Sequence, residues 1–229
     1  LADMGAEVIK VEPPEGELGR QLGPGWIGDE SALYFGFNRN KKGLALDLKK
    51  PEAREILYRL VEKSDVFLTN LGAENLERWE LSYEKLRSIN PRLIYATNSG
   101  YGPFGGIDKP SFDMTVQALT GLMARLGEPG APPIYLGMGS GDSIGGLMAA
   151  LGILLALQHR RRTGRGQRLD ASLYGAQLFL AAPSLQAFLA TRSPRHSRQV
   201  SRKDARNPLW NRYPTRDGWI FLCMPETET

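Results

Sequence analysis

Short β-branched apolar runs alternate along this chain with stretches whose apolar residues recur at helical spacing, the pattern of βαβ units and a mostly parallel sheet. Residues 7–11 predict a strand closed by Pro13 and Pro14, and residues 2–6 read as the end of a helix turning into it. Residues 44–48 alternate briefly. Pro51 sits where a first-turn proline is tolerated, and Ile56, Leu57, Leu60 and Val61 follow at helical spacing, so a helix is expected over 51–63. Residues 65–69 and 93–97 predict two buried strands, separated by a polar helical stretch carrying Leu76, Trp79, Tyr83 and Leu86. Helices are expected over 113–126 and 145–161, the second stopped by the glycines of 163–166. A strand over 167–171 and a helix over 172–189 complete the alternation.

Past Thr191 the composition changes. Residues 192–206 hold Arg192, Arg195, Arg198, Arg202, Lys203 and Arg206 against Asp204, residues 207–217 read as turns, and 219–223 as one isolated strand with no partner left in the sequence. The fold class expected is therefore α/β, a Rossmann-like, mostly parallel sheet with flanking helices, plus the start of a second small domain. The division expected is a large domain over 1–190, a basic linker over 191–206 and a truncated small domain over 207–229.

The 229 residues are 41% hydrophobic and 24% charged, which excludes disorder, collagen and coiled coil as readings of the whole chain. Cys223 is the single cysteine and cannot make an internal disulfide, so a reducing compartment, the cytoplasm, is expected. The apolar runs 145–158 and 178–189 fall short of the roughly 20 residues that span a bilayer, so no membrane association is expected. The chain opens on Leu1 with no signal-peptide pattern and reads as a fragment lacking both ends.

Metal chemistry has little support, since His159 and His196 are the two histidines and lie far apart in sequence; no metal ligand is expected. Neither a Gly-x-Ser-x-Gly elbow nor a Gly-x-x-x-x-Gly-Lys loop occurs. What stands out is an acid flanked by glycines, GMGSGDSIGG at 137–146, immediately before the long apolar helix. A carboxylate there meets unpaired N–H groups and the positive end of the helix, which favour its ionised form. Asp142 or Ser143 could be a plain N-cap. An N-cap, however, does not need five glycines, and glycine lets a bulky ligand approach the backbone.

The segments LADMGAEVIKVEPP (1–14), NRNKKGLALDLK (38–49), NPRLIY (90–95), GDS (141–143) and RTGRGQRLD (162–170) resemble, in order and spacing, the class III CoA-transferase family of the CaiB/BaiF type, which includes formyl-CoA transferase, the carnitine CoA-transferase and α-methylacyl-CoA racemase. The resemblance implies an acyl-CoA:carboxylate CoA-transferase with Asp142 as catalytic nucleophile. Its carboxylate would attack the acyl-CoA thioester to give a mixed anhydride and CoA thiolate, and the thiolate would return to form an aspartyl-CoA thioester. No cofactor is bound covalently; coenzyme A and acyl-CoA enter as substrate. Such catalysis needs N–H donors near the developing oxyanion, which the backbone of Gly141, Ser143, Gly145 and Gly146 could supply.

The same resemblance separates transferase from racemase. Racemases carry a His-Asp pair after Tyr-Gly-Pro, whereas Tyr101-Gly102-Pro103 is followed here by Phe112-Asp113, and phenylalanine cannot move a proton. Asp113 is either the N-cap of the next helix or a residue near the acyl pocket. The CoA contacts implied are Leu46, Asn70, Leu71, Arg78, Lys109, Phe112, Asp113 and Gly141. Pro13 stands where some members have a phosphate-binding arginine. Arg39, Lys41 and Lys42 would suit a phosphorylated ligand, though a solvated basic loop explains them equally. Ser140, Met138 and Tyr135 are candidates to line the acyl pocket. The partners implied are an acyl-CoA, a carboxylic acid and a second copy in an interlocked homodimer of the full-length protein. The chain by itself is expected to be inactive. The alternatives are a racemase of the same family, an inactive truncated homologue, and a nucleic-acid module using the basic stretch, which lacks stacking aromatics; no nucleic acid is expected.

Overall fold

Strand β1 (Val8–Glu12) pairs in parallel with β4 (Lys41–Ala45), Val8 opposite Lys41 and Glu12 opposite Ala45, and Leu46 N–H extends the ladder to the Glu12 carbonyl at 2.8 Å. Here, as throughout, the molecule is a computed structural model, describing residues 1–104, 107, 109–137 and 139–225. The chain divides into two compact units, Leu1–Ala96 with Ala150–Leu169, and Thr97–Ala149 with Asp170–Thr229.

In the first unit, a two-residue hairpin of β2 (Trp26–Ile27) and β3 (Glu30–Ser31) leads into α1 (Ala32–Asn38), where the Ser31 hydroxyl accepts from the N–H groups of Leu33 and Tyr34 as N-cap. The hydrophobic pattern gave no sign of this segment. Helix α2 (Pro51–Lys63) has the expected bounds and buries Ala53, Leu57 and Val61, one residue per turn. It is followed by β5 (Val66–Thr69), the short helices α3 (Ala73–Arg78) and α4 (Tyr83–Ile89), and β6 (Ile94–Ser99). Leu57, Val61, Leu76, Leu81, Leu86, Leu93 and Tyr95 form the core, and the Tyr95 hydroxyl donates to the Leu81 carbonyl at 2.9 Å. Asn90 closes α2 by donating to the carbonyls of Val61 and Ser64.

Helix α5 (Asp113–Leu119) is half the expected length, and its last part is a 3₁₀ turn, Met123–Arg125, after Gly121 at φ +72°. Helix α6 (Ser140–Thr163) instead starts five residues earlier than expected, and β7 (Gln167–Ser172) follows, the sheet order being β5-β6-β7. Gly164, at φ +73°, provides the helix stop. Gly166 has a different reason: a Cβ there would overlap the backbone of Arg92 and Leu93. Helix α7 (Leu173–Thr191) is capped by Ser172, whose hydroxyl accepts from Gly175 N–H. At 24 and 19 residues, α6 and α7 are longer than the apolar runs suggested, and length and composition alone no longer exclude a membrane span. Among the residues of α6, Ala149, Ile153 and Ala156 are buried in the fold.

Two expectations for the C-terminal stretch are corrected. Residues 210–214 are a strand, not turns: β8 (Trp210–Pro214) pairs antiparallel with β9 (Trp219–Cys223), which is therefore not isolated. The tight turn between them supplies a partner that the expectation of a parallel sheet had left out. The basic stretch holds two single 3₁₀ turns, Pro194–His196 and Arg202–Asp204, and Glu128 accepts from Arg202 N–H and pairs with Arg212 at 2.9 Å.

Candidate active site

The glycine-flanked segment folds as the entry to α6. Gly137 and Gly139 take positive φ, +102° and +75°, which glycine adopts without strain. Because α6 begins at Ser140, Asp142 stands third in the helix. Neither Asp142 nor Ser143 is an N-cap, and the N–H groups of Gly145 and Gly146 lie beyond the first four that a helix leaves unpaired. They are not available to an oxyanion, contrary to expectation. Gly141 N–H is also committed, donating to Asp113 Oδ1 at 2.7 Å.

The glycines are chiefly structural. Gly139, Gly141 and Gly145 are buried. A Cβ on Gly141 would overlap Gln177 Nε2 and Asp113 Oδ1, and one on Gly145 would meet Asn98 Oδ1 at 3.3 Å and Leu173 at 3.5 Å. Gly146 alone of the three glycines after Ser140 faces open space.

Two aspartates meet here in opposite circumstances. Asp113 is 6% exposed and is not the N-cap of α5; Phe112 is. Its carboxylate accepts five hydrogen bonds among the described residues. Gln117 Nε2 (2.8 Å), the Tyr135 hydroxyl (3.0 Å) and Gly139 N–H (3.2 Å) donate to Oδ2, and Gly141 N–H (2.7 Å) and Gln177 Nε2 (3.2 Å) to Oδ1. Burial and the bond to Asp113 push the Tyr135 hydroxyl up from its ordinary pKa. Asp142 is exposed, with no hydrogen-bond or ion-pair partner among the described residues, and its carboxylate lies beside the turn, 3.8 Å from where a Cβ on Gly139 would be. The expectation that the helix end would favour its ionised form is not met. Desolvation by the surrounding protein, and secondly the charge of Asp113, raise its pKa.

The remaining predicted residues divide between the units. Leu46 is half-buried at the end of the β1–β4 ladder, Asn70 is exposed, and Leu71 packs against the core with its N–H on Thr69 Oγ1 at 3.1 Å. Arg78 is exposed and pairs with Glu74 one turn earlier. These four belong to the first unit. Lys109 and Phe112 are exposed in the second, with Asp113, Gly141 and Asp142. Ser140 accepts at Oγ from Gln117 Nε2 at 2.8 Å, and Met138 lies outside the described residues. Sequence reasoning missed Gln117 and Gln177, both fully buried. Gln117 lies one helical turn after Asp113, a spacing that signals a shared face; nothing in the sequence connects Gln177, 64 residues away, to either.

Among the described residues no cluster of three metal-ligating side chains occurs. What remains is a free carboxylate beside a tied one, an arrangement suited to nucleophilic chemistry.

Comparison with known proteins gives the family. A model of CoA-transferase family III matches residues 1–229, and the chain belongs to that family. It is 44% identical over 189 residues to the succinyl-CoA:mesaconate CoA-transferase of Haloarcula hispanica, covering 79% of this chain and 48% of that protein. It is 41% identical over 195 residues to the acetyl-CoA:oxalate CoA-transferase of Acetobacter aceti (83% and 50%), and 37% identical over 232 residues to the succinyl-CoA–D-citramalate CoA-transferase of Chloroflexus aurantiacus (100% and 57%). The crystal structure of a CaiB/BaiF family protein from Brucella suis superposes with a TM-score of 0.83 at 32% identity, covering 95% of this chain and 58% of that one. The chain spans about half the length of the curated relatives it matches.

Proposed function

We propose that the protein carrying this chain is an acyl-CoA:carboxylate CoA-transferase with Asp142 as nucleophile. One observation carries the reading: of two neighbouring carboxylates, Asp113 has its oxygens occupied by five donors, while Asp142 keeps its lone pairs free at an exposed helix start. Asp142 attacks the acyl carbon, the C–S bond breaks, and an acyl-aspartyl anhydride and CoA thiolate result. The thiolate attacks the Asp142 carbonyl carbon, expelling the donor acid and leaving aspartyl-CoA. The acceptor carboxylate attacks that thioester and releases the thiolate, which then takes the acceptor acyl group and restores Asp142. Each step keeps an activated acyl bond, so the sequence closes without a further energy source.

Leu46, Asn70, Leu71, Arg78, Lys109 and Phe112 are the contacts proposed for CoA. Asp113 and Gly141 enter through the turn they hold. The absence of a histidine at position 112 favours transfer over racemisation. An interlocked homodimer, a cytoplasmic location and the division at 191–206 belong to the same proposal.

The test is the full-length gene product, assayed with a panel of CoA esters and free acids and quenched with hydroxylamine or borohydride. Mass spectrometry should find the modification on Asp142. No modification there, with activity retained in Asp142→Ala, rejects the mechanism; proton exchange at the substrate α-carbon in deuterated water favours the racemase.

A further inference from the structure

Gln177 takes part in none of these steps, yet its amide nitrogen is bound at the site. It is fully buried on α7; its Nε2 donates to Asp113 Oδ1 at 3.2 Å, and its Oε1 lies 3.3 Å from the Thr120 hydroxyl, whose one proton is shared with the Gln117 carbonyl at 3.1 Å. The oxygen end of the amide faces Thr120 and the nitrogen end faces Asp113. The same Oδ1 receives Gly141 N–H, and Gly141 packs so tightly against the pair that any side chain there would overlap both. A buried leucine of similar volume would fill this space without the cost of desolvating an amide, so packing alone does not account for the residue.

We propose that Gln177 is a positioning residue of the transferase reaction, holding, through Asp113, the turn 139–141 that places Asp142. The proposal rests on Asp142 being the nucleophile. Removing the amide leaves Gly141 N–H as the one donor to Asp113 Oδ1 among the described residues, so the carboxylate is held less firmly in the orientation that receives Gly139 and Gly141. Among the described residues, the titratable groups facing Asp113 are Tyr135 and Asp142. The position of the nucleophile therefore responds to the loss of the amide.

The experiment uses the full-length enzyme with Gln177→Leu and Gln177→Glu, measuring kcat, KM for the acyl-CoA, the pH profile and labelling of Asp142. For Gln177→Leu we expect kcat to fall tenfold or more and KM to stay within twofold. In Gln177→Glu only the protonated carboxyl can donate to Asp113, so its activity relative to wild type should rise as pH falls. Unchanged kcat in Gln177→Leu, with Asp142 labelled in the wild type, overturns the role of Gln177 and leaves the nucleophile standing. Should Gln177→Leu fail to fold, a pH-independent ratio for Gln177→Glu overturns it equally. Absence of label on Asp142 in the wild type removes the functional reading itself.

Discussion

Asp142 and Asp113 are chemically the same residue, and what separates them is the number of donors each meets. The free one has its pKa raised, which has two consequences. Ionisation is needed for attack, so activity should fall as pH drops through the raised value. A carboxyl whose pKa is higher folded than unfolded binds more protons in the native state, so it lowers stability as pH rises through that window. Asp142→Asn should therefore reduce turnover by at least about 10³-fold, the scale expected when a covalent nucleophile is lost. It should also raise the melting temperature at neutral pH, with the gain shrinking as pH falls toward 4. Calorimetry across pH checks this, and an Asn variant that melts lower at pH 7 contradicts it. As a candidate nucleophile, Asp142 was legible in the sequence through its glycines and its place in a family motif. The reason for those glycines was not, since Gly141 and Gly145 are small because Gln177, Asp113, Asn98 and Leu173 approach from distant segments.

Among the elements, β1 ends in a buried acid that ties it to the loop beyond. Glu12 is bound by Arg20 at 2.8 Å and by the Tyr34 hydroxyl at 2.7 Å, and these contacts hold its pKa down at about 2, the Arg20 bond contributing most. A depressed carboxyl adds stability above its unfolded value and loses it as pH falls between about 4.5 and 2. Glu12→Gln should cost on the order of 2 kcal/mol at pH 7, discounted for the solvent reaching Arg20, and little at pH 2. Urea melts of the whole-length protein at the two pH values measure the difference. Further along, Gly166 lets the start of β7 pass against the backbone of 92–93. Gly166→Ala should destabilise by about 1–3 kcal/mol, because backbone cannot yield as a side-chain tip can. Gly146→Ala, in open space, should be neutral or slightly stabilising by the same melts. The pattern of apolar residues located α2 to the residue, since Pro51 marks its start and its buried face has a plain helical period. It missed the start of α6, because glycine and serine carry no hydrophobic signal, and it missed β8, whose pairing is fixed by β9 and not by its own composition.

For the whole molecule the proposed chemistry makes an isotopic prediction that needs no variant. With the acceptor acid labelled by ¹⁸O in its carboxylate, one labelled oxygen should remain on Asp142 as the new acyl-CoA leaves. Later turnovers should pass it to the released donor acid. Mass spectrometry of that acid reads the transfer, and label drawn from solvent water would indicate hydrolysis instead. The family was settled by sequence, because five separated motifs preserve order and spacing regardless of how the chain is packed. The alternation of strands and helices was settled likewise, since burial on one face imposes a period that residues along a single segment display. Which carboxylate is tied and which is free was decided only in three dimensions. Gln117, Tyr135 and Gln177 reach Asp113 from different elements, and hydrogen bonds made across long stretches of chain leave no local trace in the order of residues.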